Sequence, residues 1–210
     1  PWLEEHPLVR KQVMAALDDI QAVSVVSEAL RAQVREIAPE GTGIRLLPNT
    51  VDERIFTPPA NQGDRDPERL LFVGTVRRVK GLDVLVQALP AVLEQQPGVH
   101  LRVVGEPFRR QYRRDEREVR ELVDELGLQD RVHFVGGREP EGVAEEMRRA
   151  ALLVVPSRRE SFATVIPEAM ACGTPVVATR CGGPEEILTE GTGILVPRED
   201  PTALARAVGD

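Results

Sequence analysis

The sequence predicts an α/β protein built on a Rossmann-like, doubly wound parallel sheet. Two patterns carry that expectation. Short β-branched apolar runs alternate with amphipathic helical stretches, and the runs are continuous rather than alternating, so both faces of each strand are covered by helices. The length of 210 residues leaves room for such a sheet and a buried core, and a composition of 41% hydrophobic and 29% charged residues is that of a globular chain.

Strands are expected at 22–26, 44–47, 70–73, 101–104, 132–135, 152–155, 175–178 and 194–196. Between them, Leu82, Leu85, Leu89 and Val92, with Val86 and Leu93, fall on one face of a helix. A second helix is expected over 111–126, with Val119, Leu122, Val123 and Leu126 as its inner stripe. Repeated βα units of this kind bind ligands at the carboxyl ends of their strands. The stretch Thr57-Pro-Pro-Ala-Asn-Gln-Gly-Asp-Arg-Asp-Pro67 breaks the pattern and reads as a linker or long surface loop.

Some function classes are excluded. A net charge of −7 speaks against a general nucleic-acid partner. Cys172 and Cys181 cannot make a disulfide framework and fit a reducing compartment, so a cytoplasmic location is expected. No apolar run reaches the ~18 residues of a membrane helix.

Two strand ends carry candidate chemistry. The first is Phe72-Val-Gly-Thr-Val-Arg-Arg-Val-Lys-Gly81. Gly74 permits close backbone approach, and Arg77, Arg78 and Lys80 supply charge before a helix start, which suits a phosphate or diphosphate. It is neither the dinucleotide G-x-G-x-x-G nor the P-loop pattern, so a dinucleotide-dependent oxidoreductase is unsupported. A solvated basic loop explains this segment equally well. The second candidate is Pro156-Ser-Arg-Arg-Glu-Ser-Phe-Ala-Thr-Val-Ile-Pro-Glu-Ala-Met-Ala-Cys-Gly173. A helix is expected to begin near Ala163, with Pro167 in its first turn and Gly173 as its stop. The amides of Phe162, Ala163 and Thr164 would then be free for an anion. Glu160 and Glu168 could accept hydrogen bonds from hydroxyls. Two surface carboxylates favouring a helix dipole would have the same spacing.

These residues resemble the retaining GT-B glycosyltransferases of the family 4 type. Glu160 and Glu168 match that family's Glu-x7-Glu motif. Its context matches in Glu168-Ala-Met-Ala-Cys-Gly-Thr-Pro-Val-Val-Ala178, Gly182-Gly-Pro-Glu-Glu-Ile187 and Gly191-Thr-Gly-Ile-Leu-Val196. Leu47-Pro-Asn-Thr-Val-Asp-Glu-Arg-Ile-Phe56 resembles the connection into the second domain of such enzymes. The resemblance implies three parts: 1–47 as a remnant of the N-terminal acceptor domain, 48–67 as the connection, and 68–210 as the nucleotide-sugar-binding domain. With Pro1 at one end and a helix opening at Pro201 that stops at Asp210, the chain reads as a fragment, expected to bind donor and transfer little alone.

The resemblance also implies roles. Glu168 would bind the ribose of a nucleotide-sugar, UDP-linked in preference to GDP-linked, and Glu160 would contact the transferred sugar. The amides of Phe162, Ala163 and Thr164 would hold the diphosphate with Lys80 and Arg77. Gly74 and Thr75 would close on the same ligand, and Arg138 would line the nucleobase pocket. Thr75 stands where the family usually has arginine, and Arg77 is the candidate replacement. Arg77-Arg-Val-Lys80 resembles the branch that transfers N-acetylglucosamine in bacillithiol synthesis, and Glu160-Ser161-Phe162 resembles that branch and the mycothiol one. No cofactor and no metal are expected, because His6, His100 and His133 are scattered and fixed cations can neutralise the diphosphate. The acceptor is an unidentified hydroxyl compound.

Two alternatives stay open. A noncatalytic nucleotide-sugar or nucleoside-diphosphate binding module would carry the same site. The arginine-rich stretch 109–120 reads either as a salt-laced solvated helix or as a peripheral contact with the inner face of the membrane.

Overall fold

The computed structural model of the protein describes residues 7–18, 20–106 and 113–209. These divide into two compact units, Pro1–Asn49 and Thr50–Asp210.

In the first unit, α1 (Pro7–Asp18) precedes β1 (Ala22–Val25). Helix α2 (Glu28–Arg35) then leads to β2 (Gly43–Leu46), which pairs parallel with β1, aligning Ala22 with Gly43. Ser27 starts α2 as the sequence rules require: its hydroxyl accepts from the Leu30 amide at 3.1 Å.

The second unit carries the predicted sheet. Its strands are β3 (Asp66–Val73), β4 (His100–Val104), β5 (Val132–Gly136), β6 (Ala150–Val155), β7 (Val176–Thr179) and β8 (Ile194–Val196). All pair parallel, in the order β5-β4-β3-β6-β7-β8. The helices are α3 (Leu82–Gln95), α4 (Arg113–Glu125), α5 (Pro140–Arg149), α6 (Val165–Ala171), the single turn α7 (Pro184–Ile187) and α8 (Pro201–Gly209).

Neighbouring strand residues point to opposite faces, and here each face has its own core. Leu70, Phe72, Val154 and Val177 pack with Leu82, Leu85 and Leu89 of α3, Val119 of α4 and Leu204 of α8. Leu71, Leu153, Val155 and Val176 pack on the other face with Met147 of α5 and Ile166 of α6. Both faces being buried is why the apolar runs are continuous.

Two sequence expectations need adjustment. Among the described residues, the helix expected over 111–126 is α4, and Gln111 lies outside those residues. Leu126 is 39% exposed rather than inward. Gly127, at φ +68°, ends the helix, and the Leu128 amide returns to the Val123 carbonyl at 2.9 Å, so Leu128 takes the buried place. The stretch 57–67 is also less free than its composition suggests. Asp66 and Pro67 already belong to β3, and Arg65 donates to the carbonyls of Ala150 at 2.7 Å and Gly173 at 3.0 Å. The Phe56 ring before it is buried in the α5–α6 core.

From β3 the chain steps outward to β4 and β5, then returns to the other side of β3 as β6 and continues to β7 and β8. The order reverses between β3 and β6. In open α/β sheets the crevice beyond the carboxyl ends of two such strands is where ligands bind.

Candidate functional site

Two loops leave the reversal point. The loop after β3 runs through Gly74 and Thr75 to the buried Val76, then makes a one-turn helix over Arg78–Lys80 and enters α3 at Gly81. The loop after β6 runs from Pro156 to Thr164. Gly81 sits at φ +68°, and a Cβ there would lie 1.9 Å from the Pro156 carbonyl oxygen. Only glycine lets these two loops touch.

The contact brings Lys80 and Glu160 together. Lys80 Nζ lies 2.7 Å from Glu160 Oε1, and Ser157 Oγ donates to the same oxygen at 2.7 Å. The Glu160 side chain is 10% exposed and that of Lys80 31%, so the pair faces solvent mainly through the ammonium. The backbone of Glu160 is fixed by the loop after β7: its amide donates to the Cys181 carbonyl at 3.2 Å, and its carbonyl accepts from Gly183 at 3.0 Å. A Cβ on Gly183 would fall 2.4 Å from Phe162 Cα, so glycine is again needed for the approach. Below the pair, Ser157 is 1% exposed, and buried Thr179 donates its hydroxyl to the Ser157 carbonyl.

Ala163 makes the corner into α6 with φ +66°, a left-handed conformation that costs a non-glycine residue about 1 kcal/mol or more. Consequently α6 begins at Val165, two residues after the expected start, with Pro167 in its first turn. The N–H groups of Phe162 and Ala163 have no hydrogen-bond partner among the described residues. Gly173 ends the helix region at φ +69°, as anticipated. Glu168 is half-buried on α6, and burial pushes its carboxyl above the usual carboxylate range. Its carboxylate accepts no hydrogen bond among the described residues.

The remaining expected residues are more dispersed. Gly74 donates to the Val104 carbonyl at 2.9 Å, and Thr75 is half-buried beside it. Arg77 starts the Arg78–Lys80 turn and lines a 390 Å³ pocket between that turn and α4, whereas Lys80 lies on Glu160. Arg138 is exposed after the edge strand β5, donating to the Gly137 carbonyl at 3.0 Å, with β4 between it and β3. Lys80, Glu160, Phe162 and Ala163 thus cluster at the reversal point, and Arg138 stands at the sheet's far edge.

Sequence reasoning included Ser157 and Arg158 in the candidate segment from Pro156 to Gly173 without giving either a role, and it missed Thr179. Ser157 had a weak signal, three residues before Glu160. Thr179 and Arg158 had none, because their partners are distant in the chain. Cys181 lies beside the site, its carbonyl accepting from the Glu160 amide, and burial pushes its thiol up to about 11, so it is a poor nucleophile. His133 is an exposed residue of the sheet strand β5, with its ring 5.9 Å from that of His100. Among the described residues no three His, Cys, Asp or Glu side chains converge as a metal site, and no helix is long and apolar enough to cross a membrane. The arginines of α4 are salt-laced, with Arg114–Glu118 and Arg120–Glu116 pairs at 2.7 Å, while Arg109 and Arg110 lie outside the described residues.

A fixed cation beside a carboxylate, with two unpartnered amides next to them, can hold an anion and a hydroxyl group at adjacent points. The comparisons with known proteins agree with that chemistry. The solved structure of sucrose-phosphate synthase from Thermosynechococcus elongatus superposes with a TM-score of 0.84 at 36% identity, covering 95% of this chain and 51% of that one. Anabaena HepE in complex with UDP-glucose superposes at 0.78 with 25% identity, covering 90% and 53%. Among curated relatives, D-inositol 3-phosphate glycosyltransferase of Corynebacterium urealyticum is 34% identical over 98% of this chain and 51% of its own length. That of Acidothermus cellulolyticus is 36% identical over 94% and 46%. The chain therefore spans about half the length of the curated relatives it matches. The six-stranded unit is the C-terminal domain of a GT-B glycosyltransferase fold. The family model for glycosyl transferases group 1 matches residues 67–210, the unit that carries the Lys80–Glu160 pair, and the chain belongs to that family.

Proposed function

We propose that this chain supplies the donor site of a retaining glycosyltransferase, which moves a sugar from a nucleoside-diphosphate sugar to a hydroxyl acceptor. The UDP-linked donor is the first candidate and the GDP-linked one the second. The observation that carries the reading is the Lys80–Glu160 pair at the ends of the two strands that flank the reversal point. The named activities of the relatives and the UDP-glucose bound to HepE support it.

In this reading, Lys80 leaves Glu160 for the diphosphate, where the N–H groups of Phe162 and Ala163 also donate. Glu160, still held by Ser157, then accepts from a sugar hydroxyl. As the sugar–phosphate bond breaks, negative charge grows on the leaving oxygen, and Lys80 offsets it, joined by Arg77 once that side chain turns from the pocket beside α4 toward the diphosphate; charge placed where it develops is the main catalytic lever here. The acceptor hydroxyl attacks the oxocarbenium-like sugar from the departing face and gives its proton to the departing diphosphate oxygen, retaining the sugar's configuration. Glu168 accepts from the ribose, Gly74 and Thr75 bound the diphosphate, and Arg138 borders the base. Residues 1–47 are the last part of an acceptor domain and 48–67 the connection to the donor domain at 68–210. The site of action is the cytoplasm. The chain spans about half the length of its curated relatives, so donor binding is the part of the reaction to test on it.

Titration calorimetry with UDP, GDP and NADP tests the reading. UDP or GDP should bind, and Glu168→Ala should weaken that binding by about 1–3 kcal/mol, the usual range for losing a hydrogen bond to a charged group. Binding of NADP alone would overturn it, and an unchanged affinity in Glu168→Ala would remove the ribose assignment.

A further inference from the structure

Arg158 is the best-connected side chain of the loop that carries Glu160. Its amide donates to the Val79 carbonyl at 2.8 Å. Its Nη1 donates to the Arg78 carbonyl and, at 2.8 Å, to Asp83 Oδ1, while Nη2 donates to Asp83 Oδ2 at 2.8 Å. Its Nε donates to Glu199 Oε1 at 2.9 Å. The Arg158 side chain is 20% exposed and its Asp83 partner 30%, so the fork to Asp83 is partly shielded, while Glu199 on the other arm is open to solvent. A planar guanidinium can serve a carboxylate with two parallel bonds and still reach a third partner, which an ammonium cannot. The hydrogen bonds to Asp83 and Glu199 hold its pKa above the usual arginine value, with Asp83 the larger cause.

The partners have a common consequence. The carbonyls of Arg78 and Val79 belong to the turn that ends in Lys80, and Asp83 is the second residue of α3 beyond it. Arg158 itself stands two residues before Glu160. The backbone amide of Arg158, through Val79, and its side chain, through Arg78 and Asp83, therefore both tie the segment bearing the cation to the segment bearing the carboxylate, and only the side-chain part is removed by substitution. On the far arm, Glu199 has φ +55°, a conformation rare for a non-glycine residue, and its side chain is mostly exposed. The turn keeps its own bonds, Lys80 N to Arg77 O at 2.8 Å and Gly81 N to Arg78 O at 3.1 Å. Arg158 therefore governs where the turn sits rather than whether it forms.

We propose that Arg158 is a positioning residue: it fixes the 78–80 turn against the 158–160 segment and so sets the point at which the Lys80 ammonium meets the donor diphosphate. The inference rests on the donor-site reading above. A lysine stem is long and flexible, and anchoring its base restricts the volume its ammonium samples, which concentrates charge where the diphosphate binds.

A double-mutant cycle on the 210-residue chain tests this, read as UDP affinity by calorimetry, with far-UV circular dichroism to verify folding. Lys80→Met is expected to weaken UDP binding about tenfold in the native background and less than about threefold in an Arg158→Met background, because a displaced lysine has less to lose. Arg158→Met alone should weaken UDP about three- to tenfold, and Arg158→Lys, which keeps charge without the fork, should recover only part of that. A purely structural role would lower the unfolding temperature while leaving the Lys80→Met penalty at tenfold in both backgrounds, and that result overturns the proposal, as does unaltered UDP affinity in Arg158→Met. If Arg158→Met does not fold, Asp83→Asn and Glu199→Gln each remove one arm and are judged by the same comparison. A native chain that binds neither UDP nor GDP refutes the donor-site reading itself, before any variant is made.

Discussion

Gly81 and Gly127 share the same backbone conformation, φ +68°, and differ only in what surrounds them. A Cβ on Gly127 meets nothing within 4 Å, whereas one on Gly81 would lie 1.9 Å from the Pro156 carbonyl oxygen and 2.8 Å from its carbon. Alanine at either position carries the left-handed cost of about 1 kcal/mol. At Gly81 the loops after β3 and β6 must also separate by about 1 Å, because backbone rather than a flexible side-chain end stands in the way, and such overpacking typically costs about 1–3 kcal/mol. Gly127→Ala should thus lose about 1 kcal/mol and Gly81→Ala about 2–4 kcal/mol. For a chain of this size each kcal/mol lowers the unfolding temperature by about 2–4 °C. Paired thermal and urea unfolding measures the difference, and UDP affinity should fall in Gly81→Ala alone, because moving Pro156 away from Gly81 moves Glu160 away from Lys80. Equal destabilisation of the two variants, or equal UDP affinity, would refute the claim that this contact holds the site together.

Other substitutions probe separate parts of the argument. Leu85→Ala, at a fully buried position between α3 and the sheet, should cost about 2–5 kcal/mol in urea unfolding, and Leu126→Ala, on the outside of the α4 end, less than about 0.5 kcal/mol. Thr179→Val keeps shape but leaves the buried Ser157 carbonyl without its hydroxyl donor, and should cost about 1–3 kcal/mol by the same assay. Glu168→Gln should stabilise the fold at neutral pH while weakening UDP. Because burial raises the folded pKa of Glu168, its ionised form is disfavoured in the native state. The relief from Gln is therefore absent below the unfolded value near 4.5 and grows as pH rises through the raised folded value. Unfolding free energies of both proteins from pH 4 to 8 would show the gap widening, and a constant gap would contradict the burial argument.

The parts of this protein that were legible from its sequence are those governed by local rules. Continuous apolar runs located the eight strands among the described residues; the reason is coverage of both faces in the central strands such as β6 and β7, whereas β1 and β2 were located by their apolar runs although most of their positions are exposed. The stripe from Leu82 to Leu93 located α3 for the matching reason at helical period. The misplacements were also local in origin. Leu126 continues the periodic pattern of α4, but Gly127 ends the helix and Leu128 is buried in its place. Ala163 suits a helix start by propensity, yet it occupies the left-handed region and delays α6 to Val165. That departure falls at the site itself, where backbone strain is most readily retained because the surrounding loops over-determine it.

Spacing and periodicity could not convey which distant segments the sheet brings together; only the family resemblance joined Lys80 to the segment from Glu160 to Thr164 at one ligand. Lys80 and Glu160 are 80 residues apart, and each alone is an ordinary surface charge. Their meeting follows from the strand order: β3 and β6 become neighbours only because the chain goes outward through β4 and β5 before returning. The same return explains why the supporting residues are illegible. Arg158 reaches back 75 residues to Asp83 and forward 41 to Glu199, and no spacing rule connects such positions. The glycines at 81 and 183 belong with them, since each is required by a backbone that arrives from another strand rather than by its own turn alone. A site built at a sheet's reversal point is therefore doubly encoded. The charged residues proposed to touch the donor are written in short motifs, and the residues that fix the distance between those motifs are dispersed along the chain. Substitutions at Gly81 and Arg158 separate the two layers, because neither residue needs to touch the ligand for the Lys80–Glu160 geometry to depend on it.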